Sequence, residues 1–188
     1  LTDAWCYNAP AVRAIGGNHT NGPTSGSVSV TLSGSLFGLE SYSSQGRVGR
    51  ASSFDSDMTG GSACEASTWV SDTLTLCKVS AGSGGGWPMR RGRGMPVVVS
   101  AGLQQGSLTD AWCYNAPVVS AIGGSNNTNG PSSAAVSVTL SGSLFGRQGF
   151  SSKLRLGRAS SFDSDMTGGT ACEASTWVSD TLTLCKVS

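Results

Sequence analysis

The sequence predicts an all-β protein of tandem β-sandwich domains, and three observations support this. Apolar and polar residues alternate in short runs, as at Val28, Val30 and Leu32 with serine and threonine between them, which is the period of a half-buried strand. Glycine is abundant, with 27 copies that cluster between those runs, where tight turns need it. No segment has a convincing helical periodicity. Many short strands separated by turns favour a sandwich.

The strands of the first half follow in order. The alternating run at residues 28–32 predicts a strand with one face in a core. Trp69-Val70 and residues 74–77 predict two short strands around the turn Ser71-Asp72-Thr73. Residues 96–99, PVVV, predict a further strand.

Most of the chain occurs twice. Residues 1–10, LTDAWCYNAP, return unchanged as 108–117, and residues 63–80 return as 171–188. Residues 81–107 occur once. Self-similarity of this kind is typical of modular arrays. We therefore expect the sequence to be a window on a longer tandem array; the alternative is a complete protein whose second module lacks its last strand.

The order of short motifs resembles the immunoglobulin-like IPT/TIG domain of plexins, other cell-surface receptors and some transcription factors. The resembling motifs are Pro10-x-Val12-x-x-Ile15, Asn21-Gly22-Pro23, Val30-Thr31-Leu32-Ser33-Gly34-x-x-Phe37-Gly38, Ser71-Asp72-Thr73-Leu74-Thr75-Leu76 between Cys64 and Cys77, and Val97-x-Val99 followed by Trp112-x-Tyr114-x-x-Pro117. The resemblance implies tandem immunoglobulin-like β-sandwich domains.

In that family the Tyr-x-x-Pro step closes one domain and opens the next. The resemblance thus implies that residues 1–8 are the final strand of a preceding repeat, and that 9–115 form repeat 1 with a linker and last strand at 81–115. Residues 116–188 form repeat 2, which lacks its last strand and is completed by the next repeat or by a neighbouring subunit. Because proteins rarely leave a sheet edge bare, we expect self-association into a polymer through the repeat ends. Covalent continuation is preferred over donor-strand insertion between subunits.

Three cysteines occur in each period, and this density in a small Ser/Gly-rich domain favours an oxidising compartment. Cys64 and Cys77 flank a short hairpin and are expected to form a disulfide, as are Cys172 and Cys185. Closing such a loop stabilises a module by roughly 3 kcal/mol in the chain-entropy model. Two alternatives stay open for Cys6 and Cys113: a disulfide between modules or chains, or a buried thiol beside Trp5 or Trp112.

Both copies contain an N-glycosylation sequon. Asn18-His19-Thr20 and Asn126-Asn127-Thr128 lie in corresponding Gly-rich loops, and the sequon survives although its neighbours differ. We therefore expect N-linked glycan on Asn18 and Asn126. A loop that is simply rich in turn-forming asparagine is the alternative.

Three other patterns have a functional and a structural interpretation. Asp55-Ser56-Asp57 and its copy Asp163-Ser164-Asp165 lack the further oxygen ligands of a calcium loop, so turn capping is favoured. For the basic segment MRRGRG at residues 89–94, a solvated loop is preferred over a contact to acidic glycan or nucleic acid. With no C-x-x-C pair and one histidine, His19, a metal site is not expected.

Composition excludes several classes of function. A net charge of +1 gives no field that would attract the whole molecule to nucleic acid or an anionic membrane. No apolar run reaches the roughly 20 residues that a membrane span needs. The catalytic motifs that would indicate an enzyme are absent from the sequence, and we expect no enzymatic activity and no cofactor.

These observations together predict a structural protein at the cell surface or outside the cell. We expect a subunit of a glycosylated filament or appendage built from tandem immunoglobulin-like repeats, since identical modules present identical interfaces and non-closing contacts generate filaments. The alternative is an adhesin or receptor ectodomain that binds a protein or glycan ligand.

Overall fold

The computed structural model describes residues 6–16, 21–41, 44–49, 62–82, 94–123, 136–149, 154–156 and 170–187. Every regular element in these ranges is a β-strand, which confirms the predicted all-β class. The chain divides into two compact units, Leu1–Asn115 (unit 1) and Ala116–Ser188 (unit 2).

Unit 1 has nine strands within the described ranges. They are β1 (Ala11–Gly16), β2 (Asn21–Gly22), β3 (Ser29–Ser35), β4 (Gln45–Val48), β5 (Ser62–Ala63), β6 (Ala66–Ser71), β7 (Leu74–Lys78), β8 (Met95–Ala101) and β9 (Gln104–Tyr114). One sheet has the order β1-β3-β7-β6 and the other β2-β9-β8-β4-β5. All pairs are antiparallel except β2 with β9. Two such sheets around one core form an immunoglobulin-like β-sandwich.

The alternation in β3 has the predicted effect. Val30 and Leu32 are fully buried, whereas Ser29 is exposed, because successive side chains of a strand point to opposite faces. β3 lies in the middle of its sheet. Its Val30 pairs with Cys77 of β7, and its Gly34 pairs with Val12 of β1. One face of this sheet therefore forms half of the core.

Gly34 permits a close approach between β1 and β3. A Cβ atom built at Gly34 would strike the carbonyl oxygen of Ala11, and one at Gly142 in unit 2 would strike that of Val118. The pairing of β1 with β3 also shifts register between Val12 and Ala14. Glycine is thus required here by the distance between backbones and not by its own dihedral angles.

Unit 2 repeats the first sheet of unit 1 with the same registers. Its described strands are β10 (Val118–Gly123), β11 (Ser137–Ser143), β12 (Arg155–Leu156), β13 (Thr170–Ala171), β14 (Ala174–Ser179) and β15 (Leu182–Lys186). The order β10-β11-β15-β14 corresponds to β1-β3-β7-β6, and β12-β13 corresponds to β4-β5. Among the described residues of unit 2 no strand corresponds to β8 or β9.

Each unit contains one disulfide at the point where the chain passes from one sheet to the other. Cys64 follows β5 and is bonded to Cys77 of β7, and Cys172 follows β13 and is bonded to Cys185 of β15. A cross-strand ion pair lies beside each disulfide, with 2.9 Å between Lys78 Nζ and Glu65 Oε2 and 3.0 Å between Lys186 Nζ and Glu173 Oε2. The two units thus share the position of the disulfide and of the ion pair as well as the strand registers.

Candidate interaction surface

The inner face of unit 1 is closed by the hairpin of β8 and β9. Val97 and Val99 of β8 and Trp112 of β9 are completely buried, and Tyr114 is nearly so. They join one hydrophobic cluster with residues of the opposite sheet. These four side chains cover the apolar face that β1, β3 and β7 present, so the hairpin completes the sandwich.

Trp112 is the largest side chain in this core. Its six-membered ring lies against Gly22, where a Cβ atom would come within 2.7 Å of the ring. The ring of Trp112 also meets that of Tyr114 edge to face, with centroids 6.1 Å apart and planes at 88°, a favourable arrangement for aromatic pairs. The hydroxyl of Tyr114 donates a hydrogen bond of 2.7 Å to the carbonyl oxygen of Ser80. Both aromatic residues of β9 are therefore fixed from several sides.

In unit 2 the corresponding face is exposed. Val12 of β1 is 7% exposed, whereas Val119, its counterpart in β10, is 51% exposed. Ile122 is exposed while its counterpart Ile15 is partly buried against the core. Phe145 is likewise only partly buried, whereas Phe37 is completely buried. The exposed side chains are those that the hairpin covers in unit 1.

A control position shows that this difference is local to the inner face. Val70 of β6 and its counterpart Val178 of β14 are 48% and 44% exposed. The presence of the hairpin in unit 1 does not change the exposure at this position. We call the face formed by the exposed Val119 and Ile122 and the partly buried Val138 and Phe145 the open face; Leu140 beside them is buried.

The second sheet of unit 2 is short at the same place. In unit 1, β4 pairs with β5 on one side and with β8 on the other, from Gln45 opposite Ser100 to Val48 opposite Val97. In unit 2, β12 pairs with β13, and the sheet ends there among the described residues.

Two inner positions differ between the units: Val48 corresponds to Leu156, and Gly46 to Leu154. A Cβ atom at Gly46 would come within 2.7 Å of Cys64 Sγ and 3.3 Å of Leu32 Cδ1. The equivalent position in unit 2 is Leu154, whose backbone N–H donates to Ser175 as that of Gly46 donates to Ser67. Leu154 is partly buried, and its carbonyl oxygen accepts a hydrogen bond of 3.0 Å from the backbone N–H of Cys172.

The turn between β6 and β7 anchors a second loop, a role that its turn-like sequence did not reveal. The Asp72 carboxylate accepts hydrogen bonds from the backbone N–H of Gly38 at 3.0 Å and of Leu36 at 3.4 Å. The backbone carbonyl oxygen of Asp72 accepts a hydrogen bond from the N–H of Phe37 at 2.9 Å. Leu36 has a φ of 65°, which is unfavourable for a residue with a side chain. In unit 2, Asp180 accepts from Gly146 at 2.9 Å in the same way.

We expect Asp72→Ala to lower the free energy of unfolding of unit 1 by about 1–2 kcal/mol, because two backbone donors lose a charged acceptor. Asp72→Asn retains an acceptor oxygen and should lose less. Urea unfolding followed by tryptophan fluorescence measures both variants. Equal effects of the two substitutions would contradict this role for the carboxylate.

The two cysteines outside the disulfides lie in different environments. Cys113 is completely buried in β9, directly after Trp112, and Cys6 is exposed. Burial raises the pKa of the Cys113 thiol above its ordinary value. Burial also raises the pKa of Tyr114 above its ordinary value. For Cys113 the arrangement favours the buried thiol over a bond to another chain; a disulfide through Cys6 stays a prediction.

We expect alkaline pH to destabilise unit 1 partly through Cys113. A thiol of the unfolded chain loses its proton near pH 9.0, whereas the buried thiol keeps it to higher pH. The folded state then binds more protons than the unfolded state, so stability falls as pH rises above this value. In a chain carrying Cys6→Ser to prevent disulfide exchange, adding Cys113→Ala should reduce the loss of urea midpoint between about pH 7 and about pH 9.5. An unchanged loss would contradict this contribution.

Several predicted sites lie outside the described residues. They are the sequon asparagines Asn18 and Asn126, His19, the Asp55 and Asp163 pairs, Trp5, and the basic residues at 89–93. Within the described ranges no group of three or more His, Cys, Asp or Glu side chains is arranged to hold a metal ion. No helix in those ranges is long and apolar enough to cross a membrane.

Comparisons with known proteins give only distant structural similarity. No family model and no curated protein matches the chain. Two structures of the plexin A4 extracellular region are 15% identical over 94% of this chain, with a TM-score of 0.40, and the chain spans only 15% and 13% of their lengths. A crystal structure with a xylogluco-oligosaccharide is 11% identical over 96% of this chain and 36% of its own, with a TM-score of 0.42. At these values the fold assignment depends on the strands and registers described above.

The class that the fold defines is a disulfide-bonded, all-β protein with immunoglobulin-like units. Its disulfides are typical of proteins in oxidising, extracellular environments. The open face of unit 2 is its main candidate for an interaction.

Proposed function

We propose that this protein is a structural subunit of an extracellular, glycosylated filament or surface appendage built from tandem IPT/TIG-type repeats. One observation carries the proposal: Val119 of unit 2 is exposed whereas its counterpart Val12 is buried, and Ile122 is exposed whereas Ile15 is partly buried. Val119 alone changes from the 7% exposure of its counterpart to 51%. Contiguous apolar side chains at a sheet face are characteristic of association sites.

The repetition supports association in a line. Both units have the same registers, disulfide position and ion pair, so each can take part in the same contact. A contact between two different surfaces of identical modules forms a closed ring only if the rotation between modules closes. Otherwise it builds a filament. The open face supplies one surface of such a contact.

The disulfides suit a protein that must persist outside the cell. Each closes a loop with a sequence separation of 13 residues, and each ties the two sheets of a small unit together. Glycans on Asn18 and Asn126 would add hydrophilic bulk to the surface of the filament. The proposed role requires neither catalysis nor a cofactor.

Electron microscopy of the protein isolated from its native source tests this function. We expect regular polymers whose axial repeat persists in non-ionic detergent. A monodisperse monomer that binds a soluble protein or glycan would overturn the filament and support an adhesin or receptor ectodomain instead. Digestion with an endoglycosidase should lower the mass of the same material if the sequons are occupied.

A further inference from the structure

We infer that the outer edge of β6, and of its copy β14, is a self-pairing site that binds the same strand of a second copy of this chain. Antiparallel pairing of two such strands about a two-fold axis would join two four-stranded sheets into one continuous sheet. A filament needs contacts along its axis, whereas this is a contact at the side of a unit. The inference therefore goes beyond the proposed function.

β6 lies at one edge of its sheet. The order β1-β3-β7-β6 places β7 on one side of β6, and among the described residues no strand pairs with its other side. β14 has the same position in the order β10-β11-β15-β14. An edge of this kind presents backbone N–H and C=O groups with which a further strand can pair.

The other edges of unit 1 have features that oppose pairing. β2 and β5, at the two ends of the second sheet, have two residues each. β1 carries the exposed Arg13, and its start lies so close to β9 that a Cβ atom at Gly106 would strike the carbonyl oxygen of Pro10. Short strands, charged side chains and covering segments are the usual protection of a sheet edge.

β6 lacks these protective features. Its six residues, ASTWVS, include no charged residue, proline or glycine, and threonine, tryptophan and valine favour the strand conformation. Its one irregularity is the register shift between Trp69 and Ser71. The shift lies at the end of the strand and leaves residues 66–69 in regular register with β7. A second strand would therefore pair with this regular stretch.

The charged groups on either side of β6 are engaged within unit 1. Glu65, which precedes the strand, forms the ion pair with Lys78. The carboxylate of Asp72, which follows the strand, accepts the hydrogen bonds from Leu36 and Gly38. The edge itself is thus uncharged, so two copies of it meet with little repulsion. This favours the strand's own copy over a partner recognised by its charge.

The exposed side chains of β6 suit an antiparallel copy of the same strand. Ala66, Thr68 and Val70 are exposed, and all three are small or β-branched. A two-fold axis perpendicular to the sheet keeps the outer face outward, so exposed positions of one strand lie opposite exposed positions of the other. Threonine pairs and small apolar pairs across neighbouring strands are favourable.

The same edge occurs twice in the chain. Residues 63–80 and 171–188 are identical. Val70 and Val178 are 48% and 44% exposed, although only in unit 1 do the described residues include the hairpin of β8 and β9. The exposure of this edge is therefore independent of what covers the inner face of a unit. Because each chain has two such edges, pairing can continue beyond a dimer.

Sedimentation velocity of the intact chain over a range of concentrations tests the inference. The sedimentation coefficient should rise with concentration, and hydrogen exchange in β6 and β14 should slow as it rises. A chain with Thr68→Lys and Thr176→Lys should have an association constant lower by about tenfold or more, because lysine then faces lysine across each pair. A chain that sediments as a monomer at every concentration would overturn the inference.

A matched control separates the edge from the outer face of the sheet. Thr31 of β3 lies in the same cross-strand row as Thr68, since both pair with Leu76, but β3 lies inside the sheet. Thr31→Lys with Thr139→Lys adds the same charge, and this chain should associate as the original does. Equal weakening by the two pairs of substitutions would reject the edge as the contact.

A mixture of two variants identifies the partner. A chain with Thr68→Glu and Thr176→Glu should associate as weakly as the lysine variant, because like charges again face each other. An equal mixture of the two variants should regain association, since lysine then faces glutamate, and mixing cannot repair a fold defect. A mixture that stays monomeric would reject self-pairing. Regular native filaments together with such a mixture would leave the proposed function intact and reject this lateral contact alone.

Discussion

Replacing Trp112 with alanine should lower the free energy of unfolding of unit 1 by about 3–5 kcal/mol, the range for large aromatic side chains removed from a core. Trp112 is 0% exposed, lies against Gly22 and contacts the ring of Tyr114. Its removal leaves a cavity between the two sheets at the position where β9 joins them. Because small domains have a free energy of unfolding of only about 5–15 kcal/mol, unit 1 would keep only a small fraction of its stability.

Two further substitutions show whether the loss comes from volume. Trp112 Nε1 makes no hydrogen bond within the described part of the chain, so Trp112→Phe removes no such bond and should lose clearly less than alanine. Leu103→Ala lies in the turn of the same hairpin, where the leucine is fully exposed, and should change stability by less than about 0.5 kcal/mol. Urea unfolding monitored by far-UV circular dichroism measures all three. Loss from Leu103→Ala as large as that from Trp112→Ala would contradict the account of the core.

Local patterns in the sequence were sufficient for three of the four strands in the first sheet of unit 1, and β1 was not predicted. The alternation around Val30 and Leu32 and the turn at Asp72 gave the strands β3, β6 and β7 near their observed positions. This succeeds because a strand with one buried face records its orientation in every second residue. Nothing beyond about ten neighbouring residues is required for that prediction.

The role of the hairpin could not be read in the same way. The first half of β9, which begins at Gln104, is polar and resembles a loop, and it is a strand because β8 pairs with it. The contrast between Val12 and Val119 is also invisible locally, since both are valines in the same setting. Their exposure depends on whether a segment about a hundred residues away covers them.

The candidate site illustrates a further limit of sequence reasoning. That the second copy lacks its last strand stays a prediction, and in unit 1 two strands, β8 and β9, close the sandwich. The cysteine count left Cys113 with two alternatives, a disulfide to another module or chain and a buried thiol. Only its position in the core favours the buried thiol. The sequons, the acidic pairs and the basic segment lie outside the described residues and remain predictions.

Removing the second disulfide should unfold unit 2, whereas removing the first should leave unit 1 folded. Both bridges span 13 residues, so the chain-entropy model gives each roughly the same contribution, about 3 kcal/mol. The units differ in what else supports them. Unit 1 has an extended core, while the buried side chains of unit 2 among the described residues are Leu140, Thr183 and Cys185. Since buried apolar area contributes about 25 cal/mol per Å², unit 2 has much less stability to lose.

The paired variants Cys172→Ser/Cys185→Ser and Cys64→Ser/Cys77→Ser make this comparison, with hydrogen exchange and mass spectrometry resolving each unit. In the first variant, amides of β11 and β15 should exchange at the rate of an unfolded chain. In the second, β3 and β7 should retain protection at a reduced level. If both variants lose the same protection, unit 2 has a source of stability other than its visible core. The exposure of Val119 would then no longer imply a missing structural partner, because a unit that is stable with its inner face open needs nothing to cover it.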